Sequence, residues 1–198
     1  MRIAALCGSL REGSFTRMAL AIGLKAVEGP QCETDLIDLR EFDLVFSDGR
    51  PGKAATPGVQ RLHNRLRAAD GVLIGTPEYH GSFSGVLKNA IDLTGFPEWE
   101  GKMIGLIGIS GGRMGAHNAL NTLRDVGRAL HAWVIPEQVS IPEAYTQFDN
   151  AGNLKDRNLE KRVQEVARQL ARFTYIHKCA AANDFLTDWQ KAQPNPGA

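Results

Sequence analysis

The chain has 198 residues and an almost balanced charge, with 23 Lys and Arg against 22 Asp and Glu. This length suits one domain with a sizeable core, and a balanced charge without a long basic block argues against nucleic acid or an anionic membrane as a partner. The chain starts without a leader, no apolar run approaches a membrane span, and three scattered cysteines fit neither a disulfide framework nor a zinc site, so we expect a cytoplasmic protein that binds small molecules.

The first predicted elements are a strand over Ile3–Cys7 and a helix over roughly Phe15–Val27, joined by a loop rich in hydroxyl groups. That loop should sit on a helix N-terminus, where unpaired backbone N–H groups favour an anion such as phosphate. It lacks the Gly-Lys-Ser/Thr ending of a P-loop and the G-x-G-x-x-G of a dinucleotide fold, which favours a terminal monophosphate held by side-chain hydroxyls. The alternative is an ordinary turn in which Ser14 or Thr16 only caps the helix.

The remaining pattern alternates strands and helices to the end of the chain. Thr56 and Pro57 are typical of an N-cap and a first helical position, after a long polar connection over Leu39–Ala55. The other predicted strands are Glu33–Asp38, Gly71–Thr76, Met103–Ile109 and Trp133–Val139, and the other predicted helices are 57–69, 85–95, 116–131 and 155–182.

Continuous apolar strands are typical of a parallel sheet that is covered by helices on both faces, which gives the α/β class. Five strands with right-handed crossovers favour a flavodoxin-like three-layer sandwich of order 2-1-3-4-5. In that order the loops after strands 1, 3 and 4 meet at one edge of the sheet. We expect a single domain over residues 1–182 and a C-terminal tail over 183–198.

Two further loops at that edge have compositions suited to a flat ligand. The loop after the third strand contains Pro77-Glu78-Tyr79-His80-Gly81-Ser82, and the loop after the fourth contains Ser110-Gly111-Gly112-Arg113-Met114-Gly115. Their glycines permit close approach of a ligand to the backbone, and Tyr79 and Phe83 add aromatic surface. A phosphate at one end and a planar ring at the other could be held between the three loops.

The pairing of Gly8-Ser9-Leu10-Arg11-Glu12-Gly13-Ser14 with Pro77–Ser82 and Gly85-Val86-Leu87-Lys88-Asn89-Ala90-Ile91-Asp92 resembles the NADPH-dependent FMN reductase family. The resemblance extends from about Arg2 to Pro142, with the motifs in the same order. It implies FMN as the cofactor, NADPH or NADH as co-substrate, and a homodimer or homotetramer. The implied reaction is ping-pong hydride transfer to the N5 atom of the flavin and then to a small-molecule electron acceptor such as a quinone, free flavin or chromate.

The resemblance also implies which residues bind FMN. The phosphate would be held by Ser9, Arg11, Ser14, the backbone of Phe15, and Thr16. The ribityl chain and ring would be lined by Pro77, Glu78, Tyr79 and His80, and bordered on the other side by Ser110, Gly111, Gly112 and Arg113. The flavin carries the chemistry, so no catalytic side chain and no metal is expected.

Several points stay open at this level. His80 replaces an asparagine that many members of the family carry, Arg113 is a candidate partner for the 2′-phosphate of NADPH, and Phe96 with Trp99 could form an exposed aromatic patch near the flavin. One alternative function is a flavodoxin-like electron carrier that does not oxidise a pyridine nucleotide. Another is an interaction module that has lost the flavin.

Overall fold

The computed structural model describes residues 1–49 and 56–192 and contains a central parallel sheet. Its strands lie in the order β2-β1-β3-β5-β6, and every pair on that path is parallel. The short β4 pairs with the end of β3 in an antiparallel hairpin. The predicted class and order of the five long strands are confirmed, whereas the hairpin strand was not predicted. The strands are β1 (Arg2–Cys7), β2 (Glu33–Asp38), β3 (Gly71–Tyr79), β4 (Ser82–Phe83), β5 (Met103–Ile109) and β6 (Trp133–Ile141).

Helices cover both faces of the sheet. The hydroxyl of Thr56 accepts from the backbone N–H of Val59 at 3.5 Å, and Pro57 opens the following helix, as the sequence predicted. A single 3-10 turn occupies Leu39–Glu41 in the connection predicted as polar, and the part of that connection over 50–55 lies outside the described residues. The helices are α1 (Phe15–Lys25), α2 (Pro57–Ala68), α3 (Gly85–Asp92), α4 (Phe96–Trp99), α5 (His117–Ala129), α6 (Ala144–Gln147), α7 (Arg157–His177) and α8 (Ala180–Ala192).

The first strand shows why the sheet needs two covering layers. Ile3, Ala5 and Cys7 pack into the core beneath α1 and α7, whereas Ala4 and Leu6 pack into a second core beneath α2, α3 and α5. All five are fully buried. The continuous apolar run therefore serves both faces of the sheet, as expected for a parallel strand in the middle of an α/β domain.

The C-terminal region differs from the prediction of one helix over 155–182. Helix α7 ends at His177, and α8 begins at Ala180, inside the predicted helix, and continues through the first part of the predicted tail. The last buried residue of α7 is Thr174, and the helix ends at the edge of the sheet, where the ring of His177 contacts that of Trp133 at the start of β6. Residues 193–198 lie outside the described part of the chain, and the division between domain and tail stays a prediction.

The expected aromatic patch at Phe96 and Trp99 is wrong. The Trp99 side chain is completely buried, and its Nε1 donates to the hydroxyl of Thr94 at 2.7 Å. Phe96 is half exposed, but it contacts the ring of His131 at a centroid distance of 4.8 Å, near the edge where β5 begins. The prediction failed because α4 lies at the opposite edge of the sheet from the three converging loops.

Among the described residues, no helix combines the length and the apolar character needed to cross a bilayer.

Candidate functional site

A cavity of about 360 Å³ opens at the carboxyl edge of the sheet, between the segments that follow β1, β3, β5 and β6. This is the position that the strand order predicts for a ligand site, because the connections from β1 and β3 leave in opposite directions there. The lining residues are Ser9, Arg11, Glu12, Gly13, Ser14, Phe15, Thr16, Pro77, Glu78, Tyr79, Ile109, Gly111, Ala144 and Tyr145.

The β1–α1 loop (residues 8–14) and the first turn of α1 supply three buried hydroxyl side chains to this cavity. Ser14 is the N-cap of α1, and its Oγ accepts from the backbone N–H of Arg17 at 3.3 Å. The Oγ of Ser9 accepts from the backbone N–H of Arg11 at 3.4 Å. Ser9, Ser14 and Thr16 are all at least 95% buried although they line a cavity. These three residues therefore belong to the buried floor of the cavity rather than to its exposed rim.

The backbone adds donors at the same place. The N–H groups of Phe15 and Thr16 belong to the first turn of α1 and have no acceptor within the helix, and no acidic residue lies in that turn. The ring of Phe15 stacks on that of Phe148 at a centroid distance of 5.2 Å, and the contribution expected of this residue is its backbone N–H. Together with the exposed guanidinium of Arg11, this donor set favours an anion.

Ser84 ties the β1–α1 loop to the hairpin that follows β3. Its Oγ donates to the carbonyl of Gly8 at 2.6 Å, and its backbone N–H donates to the hydroxyl of Thr76 at 3.1 Å. The space is close-packed at this junction, since a Cβ on Gly8 would lie 2.9 Å from the Cβ of Leu87. Two of the three predicted loops are therefore held in a fixed relation to each other.

His80 and Gly81 form the two-residue turn between β3 and β4. Both have positive φ, 51° and 76°, which is the signature of a type I′ hairpin. His80 is exposed and is not part of the cavity lining, unlike its predicted neighbours Pro77, Glu78 and Tyr79. The histidine occupies a backbone conformation in which Asn and His are enriched. This conformation is therefore compatible with the asparagine that the sequence resemblance implies at this position.

Glu78 contacts a helix from the wall of the cavity. Its Oε2 accepts from the backbone N–H of Ala119 at 3.0 Å, in the first turn of α5, which has no side-chain cap of its own. The carboxylate therefore binds the positive end of a helix, and its position supports the expectation that it takes no part in proton transfer.

The β5–α5 loop forms the third wall, but only Gly111 of the four predicted residues there lines the cavity. Ser110 uses its backbone carbonyl to accept from Ala144 at 3.0 Å and its Oγ to accept from Gly112 at 3.0 Å. The side chain of Arg113 is 88% exposed and pairs with Glu143 at 3.3 Å. Its role toward a 2′-phosphate stays a prediction.

Five lining residues were not predicted. Glu12 and Gly13 lie within the β1–α1 loop itself, and Ile109 is the last residue of β5. Ala144 and Tyr145 belong to α6, just after β6, so the rule that the carboxyl ends of parallel strands share one edge would have found them had it been applied to the last strand. Tyr145 matters most, because it is a cavity-lining aromatic residue that is 63% exposed.

Cys7 lies at the end of β1 beside the site, but its environment suits a core residue. Burial is the largest influence on its thiol and raises its pKa above the ordinary value, opposed by a hydrogen bond involving Ser9. A thiol with a raised pKa is a poor nucleophile. No redox role for this cysteine is supported.

Comparison with known proteins identifies the family. The family model for NADPH-dependent FMN reductase matches residues 1–146. The chain is 36% identical to the NAD(P)H-dependent FMN reductase PA1204 of Pseudomonas aeruginosa over 181 residues, covering 86% of this chain and 93% of that protein. It is 32% identical to the NADPH:quinone oxidoreductase of Arabidopsis thaliana, covering 88% of this chain and 92% of that protein.

A solved structure leads to the same conclusion. The flavoenzyme NAD(P)H:(acceptor) oxidoreductase FerB from Paracoccus denitrificans superposes with a TM-score of 0.71 at 29% identity, covering 89% of this chain and 98% of FerB. Relatives of this kind oxidise a pyridine nucleotide, so the electron-carrier alternative is not favoured. With its flavodoxin-like sheet and a cavity at the topological switch point, the chain belongs to the NADPH-dependent FMN reductase family and is a flavin-dependent NAD(P)H oxidoreductase.

Proposed function

We propose that the cavity holds FMN with its phosphate on the β1–α1 loop and its ring between Pro77–Tyr79 and Gly111. The observation that carries this proposal is that three buried hydroxyl residues, Ser9, Ser14 and Thr16, line the cavity around the N-terminus of α1. Neutral hydroxyl and backbone donors with one adjacent guanidinium suit a terminal phosphate. Bound FMN supplies the two-electron chemistry, for which NAD(P)H is the hydride donor.

The chain's own residues bind FMN and orient it. Arg11 offers a forked cation at the exposed side of the phosphate, and the serines offer donors at the buried side. The walls are fixed by hydrogen bonds outside the cavity, from Ser84 to Gly8 and from Ala119 to Glu78. Fixed walls hold the reactants at a constant separation, which is the main contribution that a protein makes to this type of reaction.

We further propose a planar aromatic electron acceptor, of which a quinone is an example. Tyr79 and Tyr145 lie on different walls of the cavity, and their side chains are 47% and 63% exposed. Each sits on a rigid support, Tyr79 at the end of β3 and Tyr145 on a short helix whose Ala144 N–H donates to Ser110. Exposed aromatic rings at the mouth of a cavity favour stacking with another flat ring.

The cytoplasm as the location and a homodimer or homotetramer as the assembly belong to the same proposal. All three cysteines of the chain are free in the structure, as is common in a reducing compartment. Size-exclusion chromatography with light scattering measures the assembly directly.

The test of the proposed function starts with the purified protein. We expect it to be yellow, and NADPH added without air should bleach the colour; persistent colour would contradict the proposal. We also expect Arg11→Ala and Ser14→Ala each to weaken FMN binding several-fold, measured by quenching of flavin fluorescence. Arg128→Ala is the control, because that arginine is also exposed but lies on α5 outside the cavity. Unchanged FMN affinity in both loop variants would refute the phosphate assignment.

A further inference from the structure

A polar cluster supports the β1–α1 loop from outside the cavity. Asp38, the last residue of β2, is 6% exposed, and both of its carboxylate oxygens are occupied. Its Oδ2 accepts from Nε of Arg17 at 2.6 Å, and its Oδ1 accepts from the backbone N–H of Arg40 at 3.1 Å. Neither Asp38 nor either arginine lines the cavity.

The two arginines then converge on one backbone atom of the loop. Nη2 of Arg17 donates to the carbonyl oxygen of Arg11 at 3.3 Å, and Nη1 of Arg40 donates to the same oxygen at 3.4 Å. Arg11 is midway between the two serines that line the cavity floor. The position of this carbonyl therefore influences where both serine hydroxyls lie.

Asp38 is the member that organises the cluster. A charged hydrogen bond of 2.6 Å to a partly buried guanidinium is among the stronger side-chain interactions, and it orients the Arg17 fork so that Nη2 faces the loop. The second oxygen fixes the first turn after β2 and so sets the start of the Arg40 side chain. Removing the carboxylate frees the guanidinium of Arg17 and the backbone N–H of Arg40 from the acceptor that they share.

We infer that Asp38 is a positioning residue for the phosphate end of FMN. Through Arg17 and Arg40 it fixes the Arg11 carbonyl and thereby the β1–α1 loop in the conformation that receives the phosphate. This inference rests on the proposed function, which places the phosphate on that loop. A loop that is already ordered before binding loses less conformational entropy when the phosphate arrives, and this raises its affinity.

Comparing the binding of two flavins distinguishes this positioning role of Asp38 from a general effect on the fold. FMN and riboflavin share the ring and the ribityl chain, but only FMN carries the phosphate. We would titrate the flavin-free protein with each and follow flavin fluorescence, so that the readout is the ratio of the two affinities and not enzyme activity. In the wild-type protein FMN should bind more tightly than riboflavin.

In Asp38→Asn we expect this ratio to fall about tenfold with riboflavin affinity unchanged, as a lost charged hydrogen bond would give. The direction is informative, because removing a negative charge near the phosphate would by itself raise FMN affinity. Arg40→Gln, which removes one of the two donors to the Arg11 carbonyl, should lower the ratio about threefold and serves if Asp38→Asn does not fold.

Asp35→Asn is the matched control. Asp35 is a carboxylate on the same strand with 11% side-chain exposure, but it pairs with Arg65 of α2 rather than with the loop. It should leave the ratio unchanged. An unchanged or raised ratio in Asp38→Asn, or an equal loss of affinity for both flavins, would overturn the inference. Equal binding of FMN and riboflavin by the wild-type protein would instead overturn the phosphate assignment itself, and this inference with it.

Discussion

Glu78 lies in the wall of the cavity and caps α5, so its removal should lower the stability of the fold. In Glu78→Ala the N–H of Ala119 loses its acceptor, so we expect the free energy of unfolding to fall by about 1–2 kcal/mol. Glu78→Gln keeps an oxygen acceptor and should lose less. Urea denaturation of the flavin-free protein measures both. A general-base role would instead give Glu78→Gln near-normal stability together with a large loss in the rate of flavin reduction by NADPH.

The backbone conformation of the β3–β4 turn should limit which side chains are tolerated at His80. Its φ of 51° is accessible to Asn at little cost but is strained for a β-branched residue. We expect His80→Asn to leave the melting temperature within about 1 °C of wild type and His80→Val to lower stability by about 1–2 kcal/mol. Equal stability of the two variants would contradict this and show that the turn changes its backbone conformation to fit the new side chain.

Among the elements, strands buried on both faces are the easiest to predict from this sequence. β1 and β3 read as continuous apolar runs because every residue from Ile3 to Cys7 and from Gly71 to Ile74 is buried. The end of α7 was not predictable in this way, since Lys178 and Cys179 do not interrupt a helical pattern and only the end of the sheet stops the packing. The Arg17–Asp38 pair could not be predicted from the sequence either, because it joins residues 21 positions apart in two different elements.

We expect α8, the second helix of the C-terminal region, to contribute little to stability or to FMN binding. Within its described side chains α8 buries none, and it follows a core that is complete at Thr174. We expect a chain that ends at Cys179 to bind FMN with unchanged affinity and to melt within about 2 °C of the full chain. A chain that ends at Gln169 is the contrasting control, because it loses Leu170 and Thr174 from the core and should not fold. A large loss of stability on removing α8 alone would contradict this and mean that α8 makes stabilising contacts in solution.

For the molecule as a whole, Asp70 joins the start of β1 to the residue that follows α7. It lies just before β3, and its Oδ2 accepts from the backbone N–H of Arg2 at 2.8 Å at the start of β1. Its other oxygen pairs with Nζ of Lys178, just after α7. Burial alone would raise the pKa of this carboxyl, but these hydrogen bonds and the charges of Lys178 and the N-terminus outweigh it and hold the pKa below its ordinary value.

The contribution of Asp70 to the free energy of unfolding therefore depends on pH. A carboxyl whose pKa is lower in the folded state stabilises the fold above its unfolded pKa, and that contribution is lost as pH falls through the folded value. Asp70→Asn should therefore be less stable than wild type by about 1–2 kcal/mol at pH 7, and the difference should shrink as pH drops below about 4. Urea denaturation of the flavin-free proteins between pH 3 and pH 7 measures it. Asp125→Asn, an exposed carboxylate 4.0 Å from Arg128, should match wild type at every pH. A constant difference between Asp70→Asn and wild type down to pH 3 would mean that the contacts of Asp70 with Arg2 and Lys178 do not depend on its charge.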